Sequence, residues 1–152
     1  TFYLHFKDVY DLAEQIENGI FDRFNEIIAD FDSSKNETLE VMESSQTLRF
    51  FLTRLFELLA DNADMTQSLI GVNGDPAFIE KLKSRLEQRS YSTLYNALPK
   101  DRRGDCAYLF SFIEYGSIGI CETWLNSGMC ETPGAMAEIT EKFILGALGA
   151  FE

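Results

Sequence analysis

Hydrophobic residues recur along this chain at the three- and four-residue spacing of helices. The first pattern starts after Asp8, a predicted N-cap, and continues to residue 31, before the polar break DSSKNE. A second apolar stripe covers residues 48–59. A short third helix is predicted over residues 63–71, where Gly71 suits a left-handed C-terminal turn.

Two of the later helices are marked at their starts by a capping side chain followed by proline. The pairs Asp75–Pro76 and Thr132–Pro133 predict these starts, because a proline at the first helical position loses no hydrogen bond. Residues 90–92 are serine-rich and predict a weak point in the fourth helix. Between these helices, the loop LPKDRRGD leads to the most apolar helix, residues 105–126, which Gly128 ends. No segment alternates with period 2, so the prediction is an all-α fold of about six helices.

Composition narrows the possible classes of protein. A chain of 152 residues, 45% of them hydrophobic, suffices for one domain with a core. Its formal net charge of −12 excludes nucleic-acid binding over the general surface, and no apolar run approaches the ~18 residues of a membrane span. The three cysteines form neither a CxxC motif nor a Cys/His cluster, which favours a reduced, cytoplasmic protein without metal or cofactor.

The penultimate helix is apolar on two opposite faces. A small domain has a single core, which can cover only one of these faces. Gly116 and Gly119 in its interior, and Gly146 in the last helix, are costly in a helix unless another helix approaches closely. We therefore predict a homodimer interface from the last two helices, made by Tyr108, Phe112, Tyr115, Gly116, Gly119, Met136, Ile139, Phe143, Gly146 and Ala147. The alternative is that these glycines relieve crowding inside one chain.

The chain shows no catalytic constellation. Its single histidine, His5, has no cysteine or serine near it in sequence, and the acids of the first helix form a solvated face. Glu114 and Glu122 are the acids deep in the penultimate helix, where exposed positions between the apolar stripes are expected and contact with a ligand or partner stays open. Cys106 and Cys121 are expected to be small core residues. We predict no enzymatic activity.

Aromatic residues are abundant, with 13 Phe and 6 Tyr. They either fill the core or line a cavity. The candidates for a pocket are apolar or aromatic residues on faces expected to point inward, namely Phe21, Phe51, Leu55, Phe56, Phe78, Phe110 and Ile113. Few polar groups accompany them, so an apolar or aromatic small molecule is the expected ligand.

Three segments carry a resemblance to a known family. The opening TFYLHFKDVYDL resembles the end of the recognition helix and the start of the fourth helix in TetR-family transcriptional regulators. The segments NADMTQSLIGVNGDPAFIEKL and YLFSFIEYGSIGICETWLNSGMCETPGAMAEI resemble the regulatory domain of a subgroup common in Gram-positive bacteria. Together the resemblance covers nearly the whole chain.

The resemblance implies a helical homodimer with a DNA-binding headpiece, a ligand pocket and dimerisation through the last two helices. Tyr3, His5 and Lys7 match positions that reach the DNA backbone, whereas Val9 replaces a phosphate-contacting lysine. Residues 1–8 would then end a recognition helix, and residues 9–152 would form the regulatory domain. The first two headpiece helices are expected to precede this chain, which would not bind an operator without them.

The leading hypothesis is a repressor's regulatory domain, in which a ligand between the first and penultimate helices changes the separation of the two headpieces. The alternative is a helical protein-interaction module without a small-molecule pocket, controlled by a partner protein. An enclosed apolar cavity of ~300 Å³ or more would favour the first hypothesis.

Overall fold

The computed structural model describes residues 14–15, 17–30 and 41–151, except for the side chains of residues 41–45, 89 and 93. Every regular element in these ranges is a helix, which confirms the all-α prediction. In chain order they are α1 (14–15 and 17–30), α2 (Val41–Asp61), α3 (Ala63–Ile70), α4 (Pro76–Ala97), a 3-10 helix (Lys100–Asp105), α5 (Cys106–Asn126) and α6 (Pro133–Gly149).

The capped helix starts lie where the sequence predicts them. Asp75 accepts a hydrogen bond from the Ala77 N–H at 2.9 Å, and Thr132 Oγ1 accepts one from the Ala135 N–H at 3.1 Å. Proline occupies the first position of both helices. These starts are predictable because cap and proline act within one turn of the chain.

The predicted weak point in α4 is wrong, since the helix continues through residues 90–92 to Ala97. Leu86 and Leu94 flank this segment and are partly buried against the interior. Tertiary packing therefore overrides the low helix propensity of the serines. The charged segment expected as a loop forms the 3-10 helix.

Gly71 does not adopt the predicted left-handed turn, because its φ is −59°. Its need for glycine is steric: a Cβ at this position would lie 2.3 Å from the carbonyl oxygen of Gln67. Gly128, in contrast, has a φ of 88° two residues beyond the end of α5, where Ser127 and not Gly128 is the C-cap.

The main core contains residues of all six α-helices and includes Trp124, which is 2% exposed. Phe56 meets its ring edge-on at 5.3 Å, and the indole N–H donates to the carbonyl of Glu131 at 3.1 Å. Along the other side of the core, α2 packs on α6, where Arg49 donates to the buried Glu141 carboxylate at 2.6 Å. None of the described helices is long and apolar enough to cross a membrane.

Candidate functional site

A half-enclosed cavity of about 430 Å³ lies between the helices, with lining residues from all six α-helices, α1 to α6. Its lining is almost entirely apolar. The main side chains are Ile20, Phe24, Phe51, Leu52, Leu55, Phe78, Leu82, Leu86, Phe110, Ile113, Ile144 and Leu148. Such walls suit an apolar ligand, because burying its surface releases water from both partners.

Five of the seven predicted pocket residues line this cavity: Phe51, Leu55, Phe78, Phe110 and Ile113. They come from α2, α4 and α5, so the fold brings together aromatic positions that are far apart in sequence. Their side chains supply three of the aromatic rings of the wall.

Phe21 and Phe56 are buried but do not line the cavity. The Phe21 ring packs edge-on against Phe78 at 6.4 Å, with the Lys81 ammonium 5.2 Å from its centroid. Phe56, 1% exposed, packs against Trp124. Phe21 follows Ile20 and Phe56 follows Leu55, and Ile20 and Leu55 both line the cavity. On a helix with a wide apolar stripe, one edge of the stripe faces the cavity and the other edge faces the core.

The cavity also contains polar positions that sequence reasoning did not assign, among them Ser90, Ser117 and Glu114. Glu114 is half-buried instead of exposed, and Glu122 is also partly buried but lies outside the cavity lining. Burial raises the pKa of the Glu114 carboxyl, while the charge of Lys83 acts in the opposite direction. The sequence position of Glu114 indicates its place at the cavity. Glu114 follows Ile113 and lies four residues after Phe110, and both of these residues are predicted to face the pocket.

The cysteines confirm the expectation of small core residues. Cys106 is fully buried, and Cys121 is 9% exposed in the cavity wall. Burial raises the pKa of the Cys121 thiol to about 12, so this thiol is inert at neutral pH. Cys130 is exposed.

The outer side of α5 is an uncovered aromatic face. Tyr108 is 80% exposed, Phe112 68% and Tyr115 60%, and Phe143 of α6 joins them at 63%. Ile139 of α6 is also exposed. We call this set the outer face. Single exposed apolar residues are ordinary, whereas several large exposed aromatic residues on two helices are typical of an interaction surface.

The glycines on these two helices face open space. A Cβ at Gly116, Gly119 or Gly146 would meet no atom of the described residues within 4 Å, apart from its own helix backbone. Relief of crowding among the described residues therefore does not explain them. All three are exposed, which leaves room for another helix to approach.

Two predicted interface residues pack at least partly against the core. Met136 is 6% exposed in the main core, and Ala147 is partly buried against the smaller core cluster that contains Leu109. The interface prediction is wrong for Met136, because α6 is apolar around most of its circumference, and for Ala147 it stays a prediction. Spacing alone does not distinguish its inner row from its outer row.

Tyr3, His5 and Lys7, predicted to contact DNA, lie outside the described residues, as does the predicted domain boundary between residues 8 and 9. Their assignment stays a prediction from sequence.

The described residues thus form an all-helical domain with an apolar cavity and an uncovered pair of helices. Residues 46–146, about two thirds of the chain, match a TetR family model described as a transcriptional regulator C-terminal region. The chain therefore belongs to the TetR family of transcriptional regulators, as the sequence resemblance implies. Searches of curated proteins and of solved structures give no significant match.

Proposed function

We propose that this chain carries the regulatory domain of a transcriptional repressor, which senses a small apolar ligand and dimerises through the outer face. The observation that carries the proposal is the cavity of about 430 Å³, with its largely apolar walls. Its volume lies within the ~300–1,000 Å³ range of small-molecule sites. A purely structural domain has no use for a deep apolar pocket of this size, since apolar surface that is left poorly packed is destabilising.

The position of the cavity supports a route from ligand to DNA. Ile20 and Phe24 of α1 face it from one side, and Phe110 and Ile113 of α5 face it from another. A ligand that contacts both helices more tightly in one arrangement than in another shifts the population toward that arrangement. Since α1 follows the predicted recognition-helix segment in sequence, such a shift would change the spacing of two headpieces on half-sites one helical turn apart.

A second copy of this chain is the proposed occupant of the outer face. The exposed rings and the open glycines lie on α5 and α6 together, so two copies related by a two-fold axis could pack as a four-helix bundle. The net charge of −12 makes two copies repel each other over most of their surface. The outer face itself is aromatic, and the carboxylate of Glu138 beside it is paired at 3.1 Å with the ammonium of Lys142. This surface therefore contributes little to the repulsion between two copies.

DNA binding is proposed for the intact regulator through a helix-turn-helix headpiece, with Tyr3, His5 and Lys7 contacting the phosphate backbone. The acidic composition restricts any such contact to a local patch.

A helical interaction module controlled by a partner protein is the second candidate function. The exposure of Tyr108 and Phe112 favours it, because a foreign protein could cover the same rings. The cavity favours ligand sensing over this alternative, since an interaction module needs no internal void.

Calorimetric titration with 1-decanol tests ligand sensing directly, because this neutral alcohol matches the apolar walls. We expect a Kd on the order of 10–100 µM and a negative heat-capacity change, as burial of a ten-carbon chain requires. Ser117→Leu would place a larger side chain at the cavity wall and weaken binding by about tenfold or more.

Ser84→Leu is the matched control, since Ser84 is exposed on α4 and lies outside the cavity lining. It should bind 1-decanol like the parent chain. Absence of binding to the parent chain, or equal binding by parent and Ser117→Leu, would remove the support for a ligand site in this cavity.

A further inference from the structure

One carboxylate in the wall of the apolar cavity has an oxygen without a hydrogen-bond partner among the described residues. Glu114 lines the cavity from α5, and its Oε1 is buried without a hydrogen bond. No ion pair joins Glu114 to any of the described residues. A buried acceptor in this state is costly, and a ligand that donates to it would remove the cost.

The described cation that acts on Glu114 is already engaged elsewhere. Lys83 interacts electrostatically with Glu114, but its ammonium lies 3.3 Å from Glu80 Oε1 and 4.0 Å from the centroid of the Tyr115 ring. Two further carboxylates, Glu80 and Glu87, add negative potential at Glu114. The local field around this carboxylate therefore favours the arrival of another cation.

We infer that the ligand of this cavity combines an apolar body with a protonated amine, which donates a charge-assisted hydrogen bond to Glu114. This inference rests on the proposed ligand-sensing function. A carboxylate accepts hydrogen bonds only, so it selects donors, and a cationic donor forms the stronger bond. The net charge of −12 further draws cations toward the protein and disfavours anions.

The remaining lining agrees with a single charged contact. Ser90 and Ser117 add small hydroxyl groups, and the bulk of the wall is aliphatic or aromatic. Such a wall binds an alkyl or aryl body through burial and leaves orientation to the one carboxylate. A neutral molecule of the same shape would fill the cavity but leave Glu114 unpaired.

Titration of the full chain with decylamine, 1-decanol and decanoate at pH 7 tests the inference. The three probes share a ten-carbon apolar body and carry a positive, neutral and negative head. We expect decylamine to bind at least about tenfold more tightly than 1-decanol, and decanoate to bind most weakly. In Glu114→Gln the amine and the alcohol should bind within about threefold of each other.

Glu122→Gln is the matched control, because it removes one negative charge from the same helix outside the cavity lining. It should keep the full preference for the amine, which separates a local contact with Glu114 from a general effect of net charge. Binding of 1-decanol by Glu114→Gln shows that the variant is folded and its cavity intact.

The outcomes separate the two proposals. If 1-decanol binds but decylamine binds no more tightly, or if Glu114→Gln keeps the amine preference, the inference is overturned while ligand sensing stands. If none of the three probes binds the parent chain, ligand sensing and the inference fail together.

Discussion

The two faces of α5 are similar in sequence and opposite in surroundings. Phe110 and Ile113 on the inner face are partly buried around the cavity, whereas Tyr108 and Phe112 on the outer face are 80% and 68% exposed. The pattern of apolar residues indicates in both cases a surface that must be covered. It does not indicate what covers it, and in this protein we propose two different partners, a small ligand inside and a second copy outside.

The largest predicted difference between a buried and an exposed position is the difference in thiol reactivity between Cys121 and Cys130. At pH 8, iodoacetamide should modify the exposed Cys130 about a thousandfold faster than Cys121, whose pKa of about 12 keeps it protonated. Mass spectrometry of the alkylated chain should show one rapidly modified thiol. Cys130→Ser should abolish that fast phase, and rapid modification of Cys121 would contradict its burial.

Truncation of one side chain on each face compares their roles in folding. Leu109→Ala should lower the free energy of unfolding by about 2–5 kcal/mol, because Leu109 is 6% exposed in the smaller core cluster. Phe112→Ala should change the same quantity by no more than about 0.5 kcal/mol when the chain is diluted to a monomer, since its ring contributes little to the core. Urea unfolding followed by circular dichroism measures both. Similar losses for the two variants would show that the outer face is part of the monomer's core.

A smaller effect is expected from the charge of Glu114. Its pKa is raised in the folded chain, so the folded state binds more protons than the unfolded state between the ordinary value of 4.5 and the raised value. Stability is therefore present below that window and is lost as the pH rises through it. Glu114→Gln lacks this loss, and its free energy of unfolding should exceed that of the parent at pH 7, by less than about 1 kcal/mol because solvent screens this partly exposed carboxyl.

The same unfolding experiment at pH 4 and pH 7 provides the check. The advantage of Glu114→Gln should be smaller at pH 4 than at pH 7. An advantage that is equal at both pH values, or larger at pH 4, would show that burial does not raise the pKa of this carboxyl.

The fold was largely predictable because its signals are local. Caps at Asp75 and Thr132 act within one helical turn, and the helical period is visible in each segment. The prediction at residues 90–92 failed because packing of α4 outweighs serine propensity. Gly71 also misled the prediction, since its requirement is a close contact with the preceding turn instead of a positive φ.

The candidate site was less predictable because it depends on which side of a wide apolar stripe faces which neighbour. Leu55 lines the cavity while adjacent Phe56 packs on Trp124, and periodicity alone does not separate the two directions. Met136 is buried where an interface position was predicted, for the same reason. Glu114 was placed at the surface because carboxylates usually lie there, and only the three-dimensional arrangement puts it in the cavity wall.

Sedimentation of three chains tests most directly whether a second copy covers the outer face. The parent and Gly19→Leu should sediment as dimers, and Gly119→Leu should sediment as a monomer. Gly19 is the matched control because it is also a helical, exposed glycine whose Cβ would meet no described atom within 4 Å. Leucine at either site improves helix propensity, and circular dichroism of both variants checks that each is folded. A monomeric parent chain, or a Gly119→Leu dimer as tight as the parent, would contradict the account.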